Sequence, residues 1–186
     1  QTIGLDAKAR LVAGTYMMVF KSELMFFADP VINIDPSAQE LAEIALCTAE
    51  TARSFDVEPR VAMLSFSNFG SSRHPQADKV RQATKIVQQR APDLVVEGEM
   101  QADLALTPSM LEEAYPFAEL KGRANVLVFP DLSSANVAYK LTQCLAGAEA
   151  VGPILMGFDK PVHLMPSNST VEQIVQLTAV AVVDAQ

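Results

Sequence analysis

The sequence predicts an α/β domain whose mostly parallel sheet is flanked by helices. Three observations lead to that reading: short β-branched runs alternate with helix-patterned segments, the connections between them are short, and central runs such as Val61–Phe66 are apolar without alternation. Alternation of strand and helix favours parallel pairing, and a strand covered on both faces has no polar side to present.

The elements follow in order. Leu11–Phe20 and Leu24–Ala28 are apolar runs separated by Lys21-Ser22-Glu23, which reads as a β-hairpin. Asp35-Pro36 is expected to start a helix, because Asp accepts a backbone hydrogen bond at an N-cap and Pro is tolerated at the first helical position. Leu41, Ile44, Ala45, Ala52 and Phe55 then share one side at helical spacing. The strand Val61–Phe66 ends in the polar loop Ser65–Ser72. A second helix places Val80, Ala83, Thr84 and Val87 on one stripe. Leu94–Val96 reads as a brief strand, Gln101–Leu106 and Pro108–Ala114 as helical turns, and Val126–Phe129 as a buried strand. Asp131–Ala146 is expected to be a helix with Val137, Ala138, Leu141, Cys144 and Leu145 inward and Gly147 as C-cap. Val151–Met156 is another strand. Thr170-Val171-Glu172-Gln173 has capping-box spacing and opens a last helix that is apolar on nearly all sides. Such a helix needs cover on two sides, so it is expected to pack on a further subdomain or on a partner.

Composition narrows the function. Of 186 residues, 49% are hydrophobic and 19% charged, and the formal net charge is −8, with no Lys/Arg cluster. A nucleic-acid binder needs a basic face, so that class is excluded. The longest apolar stretch, Ile174–Val183, is too short to span a bilayer, and the reading expects a cytoplasmic protein. Cys47 and Cys144 are expected to be buried, reduced packing residues rather than a disulfide framework. His74 and His163 stand alone, so no Cys/His spacing suits a metal. The chain begins at Gln1, and sequence upstream is expected.

Chemistry in open α/β sheets lies at the carboxyl ends of the strands. Three such ends are distinctive. Ser67, Asn68, Ser71 and Ser72, followed by Arg73, combine hydroxyls, amides and a cation ahead of a helix, which suits a phosphate. Asn136, Tyr139 and Lys140 are expected near the start of the next helix, where a lysine opposes the helix dipole. Gly152, Pro153, Ile154 and Met156, with Lys160 beyond, would let a flat ligand approach the backbone. A solvated loop, a surface lysine and a tight turn are the plain readings of the same three segments.

Taken together and in order, Val61–Ser72, Val95–Asp103, Ala124–Leu132, Asn136–Lys140 and Gly152–Gly157 with Lys160-Pro161-Val162 resemble the phosphate acetyltransferase / phosphate butyryltransferase family. The resemblance runs from about Leu11 to Gln186. It implies two α/β subdomains around a coenzyme A cleft, of which residues 1–165 would be the second and 169–186 a helix returning to the first. It also implies acetyl-CoA as ligand and a homodimer. Active members carry Leu-Ser-Arg-Gly-Cys-Ser-Val-Glu-Asp-Ile-Val after the Lys-Pro-Val segment, and its Ser, Arg and Asp serve the transfer. This chain instead has Pro166, Ser167 and Gln173 at those positions. Pro donates nothing, Ser cannot hold phosphate bidentately and Gln is no base, so no catalytic residue is expected. Ser65–Pro75 and Ala181–Gln186 further resemble the C-terminal domain of large bacterial NADP-dependent malic enzymes. That likeness implies a regulatory module responding to acetyl-CoA, with malate, NADP and a divalent metal (Mg or Mn) held by an N-terminal part outside this chain. The alternatives are an active phosphate acyltransferase and a purely structural dimerisation module.

Overall fold

A computed structural model describes residues 3–7, 9–167 and 169–185. One six-stranded sheet organises them. Its strands are β1 (Ala13–Val19), β2 (Leu24–Ala28), β3 (Arg60–Leu64), β4 (Val95–Met100), β5 (Val126–Val128) and β6 (Glu149–Met156), in the spatial order β4-β3-β5-β2-β1-β6. Ladders β4–β3, β3–β5 and β5–β2 are parallel, while β1 is antiparallel to both β2 and β6. Strand β6 therefore runs in the same direction as β2 to β5. Five carboxyl ends share one edge of the sheet.

The predicted hairpin is β1–β2, with Val19 paired to Leu24 and Thr15 to Ala28. Helices α1 (Ala38–Ser54) and α2 (Pro75–Arg90) cover one face, around Phe26, Leu41, Ile44, Val61, Met63 and Val80. Helices α3 (Ala102–Leu106), α4 (Pro108–Ala114) and α5 (Leu132–Ala146) cover the other, around Met25, Phe27, Leu64, Met100, Leu104 and Leu127. Central strands covered twice have no solvated side, which is why they read as unbroken apolar runs. Helix α6 (Val171–Asp184) lies on β6 at the sheet edge, where Leu177 and Val180 bury against Val151 and Ile154.

Three expectations need correction. Helix α1 starts at Ser37, not at Asp35-Pro36. Ser37 Oγ accepts from Glu40 N–H and Glu40 returns the bond to Ser37 N–H at 2.7 Å, so two terminal donors are satisfied where Asp35 would satisfy one. Asp35 pairs instead with Lys79 at 2.7 Å. Strand β4 does not stop at Val96 but continues to Met100, because buried partners satisfy Glu97 and Glu99 inside it.

The third correction concerns α5. Of the expected inward stripe, Val137, Leu141 and Leu145 are 55%, 52% and 82% exposed, and Cys144 is exposed as well. Ala135 is buried, with Ala138 and Tyr139 packed behind it. Those residues also recur at helical spacing, and the small side chains of Ala135 and Ala138 admit the helix close to the sheet. The more hydrophobic stripe faces out. Both cysteines are free thiols; Cys47 is half-buried. Among the described residues no helix is long and apolar enough to cross a membrane.

Candidate functional site

The loop after β3 is closed on itself. Ser67 is buried, and its Oγ donates to Glu99 Oε1 at 2.8 Å, accepts from Ser72 N–H and lies 3.0 Å from Ser71 Oγ. Asn68 Nδ2 donates to Gln101 Oε1 and its Oδ1 accepts from Gln101 N–H. Ser72 Oγ accepts from His74 N–H. The hydroxyls expected to cradle a phosphate are thus engaged with the loop itself. Arg73 is exposed at its end, next to His74, the N-cap of α2.

What fixes this loop is a group that the sequence reading missed. Glu99 is fully buried and accepts four hydrogen bonds: two from Arg81 at 2.9 Å, one from Gly70 N–H and one from Ser67 Oγ. Burial alone would raise its pKa, but these bonds outweigh it and hold the carboxyl below the usual range. Glu97, two residues earlier, is pushed the other way by burial, although the Glu119 and Gly98 amides bond it. The available signal was the pair of carboxylates flanking Gly98 in an otherwise apolar segment. Gly98 sits at φ +151°, and a Cβ there would lie 2.7 Å from Met63 Cβ, so only glycine lets β4 pack here.

At the ends of β2 and β5, Asp29 is buried and accepts from the Val31, Ile32 and Asn33 N–H groups. Asn136 Nδ2 donates to Pro30 O at 3.1 Å, tying α5 to that turn. Lys140 lies mid-helix rather than at a helix start, so the dipole argument for it fails. It is exposed and its Nζ stands 5.4 Å from the centre of the Tyr139 ring. Tyr139 stacks on Tyr16 with centroids 4.4 Å apart and planes 17° from parallel.

Strand β6 feeds two separate cavities. Thr15 pairs with Ile154 but Met17 with Val151, so Gly152-Pro153 bulges opposite Tyr16. A bulge of this kind re-aims the side chains that follow it. Before it, Gly152 lines a cavity of about 270 Å³ together with Tyr16, Tyr139, Pro166, Gln173 and Gln176. Beyond it, Ile154, Met156 and Lys160 line another of about 500 Å³ against α1, with Glu43, Cys47 and Arg90. Glu43 is held there by Arg90 at 2.5 Å, and burial with Glu50 and Glu43 pushes the Cys47 thiol up to about 11. At Gly152, φ is +145° and a Cβ would meet Tyr16 Cδ1 at 2.9 Å, which is what admits the tyrosine stack. Most of the expected site residues therefore fall in three places, a self-bonded loop, a neutral cavity and a charged one, while Asn136 and Lys140 line neither cavity. Pro153 is buried in the bulge, and Ser167 is exposed.

A mostly parallel sheet covered by helices on both faces, with five strand ends along one edge, defines an α/β domain. The chain is in fact a member of the phosphate acetyl/butyryl transferase family: that family's model, described as "Phosphate acetyl/butaryl transferase", matches residues 1–182. It is similar to the phosphate acetyltransferase of Bacillus subtilis, 43% identical over 185 residues that span the whole chain and 57% of that protein. It is also similar to the NADP-dependent malic enzyme of Escherichia coli, 48% identical over 162 residues, which are 87% of the chain and 21% of that protein. Among solved structures, a phosphotransacetylase from Streptococcus pyogenes superposes with TM-score 0.94 at 45% identity, over 98% of this chain and 56% of that one. The chain thus spans little more than half of the Bacillus subtilis and Streptococcus pyogenes proteins and about a fifth of the Escherichia coli malic enzyme.

Proposed function

We propose that this chain is a non-catalytic, acetyl-CoA-responsive domain that regulates a fused NADP-dependent malic enzyme, in which malate is oxidatively decarboxylated to pyruvate. The observation that carries the reading is the lining of the 270 Å³ cavity. Pro166 and Gln173 stand in it where the family's hydroxyl and carboxylate align, and no lining residue among those described is an acid, a lysine or an arginine. Without a base or a cation, proton transfer and charge stabilisation, commonly worth several kcal/mol, have no source. The 48% identity to the Escherichia coli malic enzyme supports the fusion.

In this reading acetyl-CoA lies along the strand ends, with exposed Arg73 and Lys140 near its phosphates and the tyrosine stack against its arm. NADP and the divalent metal belong to the malic enzyme part. Among the described residues no cluster of three or more His, Cys, Asp or Glu could hold a metal ion. The protein is cytoplasmic and homo-oligomeric, a second copy covering the outward stripes of α5 and α6.

The test uses the full-length protein: malate oxidation is measured with and without acetyl-CoA. A coupling of about 1–3 kcal/mol changes the rate roughly 5–150-fold, and Arg73→Ala and Lys140→Ala each reduce the response. An unchanged rate, with no binding by calorimetry, makes the domain structural. A second reading, an active phosphate acetyltransferase, is favoured by the Bacillus subtilis relative that matches the whole chain. Acetyl phosphate formation at about 1–10³ s⁻¹ would establish it.

A further inference from the structure

A third cavity, of about 420 Å³, lies at the edge of the sheet opposite the five carboxyl ends, between the β1–β2 turn and the starts of β3 and β5. Its lining is apolar at Phe20, Leu24, Val57 and Ala124 and charged at Glu23, Arg60 and Arg123. The volume falls in the roughly 300–1,000 Å³ range of small-molecule sites, which combine an apolar lining with a few placed polar groups. Neither reading above uses this edge.

The two guanidiniums are held in place by the fold. Arg60 opens β3, and its Nε donates to the Arg123 carbonyl at 2.7 Å. Arg123 Nη1 donates to Glu23 Oε1 at 2.5 Å. The backbone that carries Arg60 is fixed as well, because buried Asn125 accepts from Arg60 N–H at 2.7 Å and donates to the Glu58 carbonyl at 2.9 Å. A guanidinium carries five N–H donors in a planar fork. One bond through Nε therefore orients Arg60, and among the described residues its two terminal nitrogens bond no protein group.

The charges select the ligand. Two guanidiniums against one carboxylate leave a single positive charge on the lining, in a chain of net charge −8. A monocarboxylate matches that charge, and its two oxygens fit a guanidinium fork in two parallel bonds. A phosphate dianion would set its second charge against Glu23. An inorganic anion also leaves the apolar lining unused, whereas an organic acid buries its body there.

We propose that this cavity binds a monocarboxylate with an apolar body, with Arg60 holding the carboxylate and Glu23 limiting the charge that the site accepts. The site is separate from the strand ends at which acetyl-CoA is placed above, and it stands whether or not that effector regulates the parent enzyme.

The probe is 3-phenylpropanoate, titrated calorimetrically into the full-length protein. Its uncharged counterpart 3-phenylpropanamide and inorganic phosphate are titrated alongside. The carboxylate is expected to bind saturably, and the amide and phosphate at least tenfold more weakly. Arg60→Gln is expected to weaken the carboxylate tenfold or more. Glu23→Gln keeps an acceptor for Arg123 and removes the competing charge, so it is expected to tighten binding threefold or more, a gain that a damaged fold would not produce. Arg73→Ala, at the other edge, is expected to leave the affinity unchanged. A carboxylate that does not bind, that phosphate or the amide matches, that Arg60→Gln retains at full affinity, or that Glu23→Gln fails to tighten overturns the inference. Carboxylate binding lost in Arg73→Ala assigns the probe to the other edge and overturns it equally. Malate oxidation that ignores acetyl-CoA, with the carboxylate bound as stated, removes the regulatory reading alone.

Discussion

Glu97 and Glu99 sit two residues apart on β4 and titrate with opposite consequences. In the folded chain Glu99 is held below the ordinary carboxylate value, so the native state binds its proton less tightly than the unfolded chain does. Its stabilisation is complete above the unfolded value of about 4.3 and is lost as pH falls through the lower folded value. Glu97 is raised by burial, so its contribution is complete below the unfolded value and is lost as pH rises through the folded one. Glu99→Gln is therefore expected to destabilise by about 2–3 kcal/mol at pH 7. That is below the 3–5 typical of a fully buried broken pair, because Arg81 is partly exposed and keeps Asp78 at 2.6 Å. Glu97→Gln keeps an acceptor for the Glu119 N–H and is expected to be more stable than the wild type at pH 7. Denaturant titrations at pH 4 and pH 7 check both signs. The thiols divide in the same manner. With Leu145→Glu keeping a second copy off α5, exposed Cys144 should label rapidly, while Cys47, half-buried with its pKa raised, should not. Two slow thiols would contradict the outward orientation of this face of α5.

Elements here are set by their ends and by single close approaches. Both long terminal caps are reciprocal: Ser37 with Glu40 on α1, and Thr170 with Gln173 on α6. Removing either hydroxyl, as in Ser37→Ala or Thr170→Ala, should cost about 1 kcal/mol, read as a shift in the denaturant midpoint. Gln173 holds this cap through its side-chain oxygen, which accepts from Thr170 N–H at 2.9 Å. Gly98 is less forgiving. Gly98→Ala combines an unfavourable φ with a 2.7 Å approach to Met63, and should cost more than about 2 kcal/mol. The loop that Glu99 holds would loosen with it, so hydrogen exchange at Gly70 and Ser72 N–H groups should accelerate in the same variant.

At the scale of the whole molecule, the covered sheet contrasts with two uncovered helices. α5 turns Val137, Leu141 and Leu145 outward, and α6 turns Val171, Ile174 and Val175 outward. α6 nonetheless has its own seat on β6 through Leu177 and Val180, so part of its apolar surface is used within the chain. A homo-oligomer should therefore be seen by light scattering. Leu145→Glu and Val175→Glu, both at exposed positions, should shift it towards monomer while leaving the thermal midpoint of the fold nearly unchanged.

The sequence by itself determined the α/β class, the hairpin, the strand and helix order and the capping box of α6, because local periodicity and cap chemistry act within a few residues. Family membership was legible in the same way, since short segments around the strand ends keep their order. Tertiary structure alone decided which stripe of α5 faces inward, because two apolar stripes compete and the fit against the sheet selects the smaller one. It alone decided that Glu99 belongs in the core, since its partner Arg81 lies eighteen residues away, on helix α2. It also separated Gly152 from Met156, because the bulge that divides β6 between two cavities is set by its register with β1. Burial, pairing across the sheet and the register of a bulge are properties of neighbours in space, and a linear pattern has no term for them.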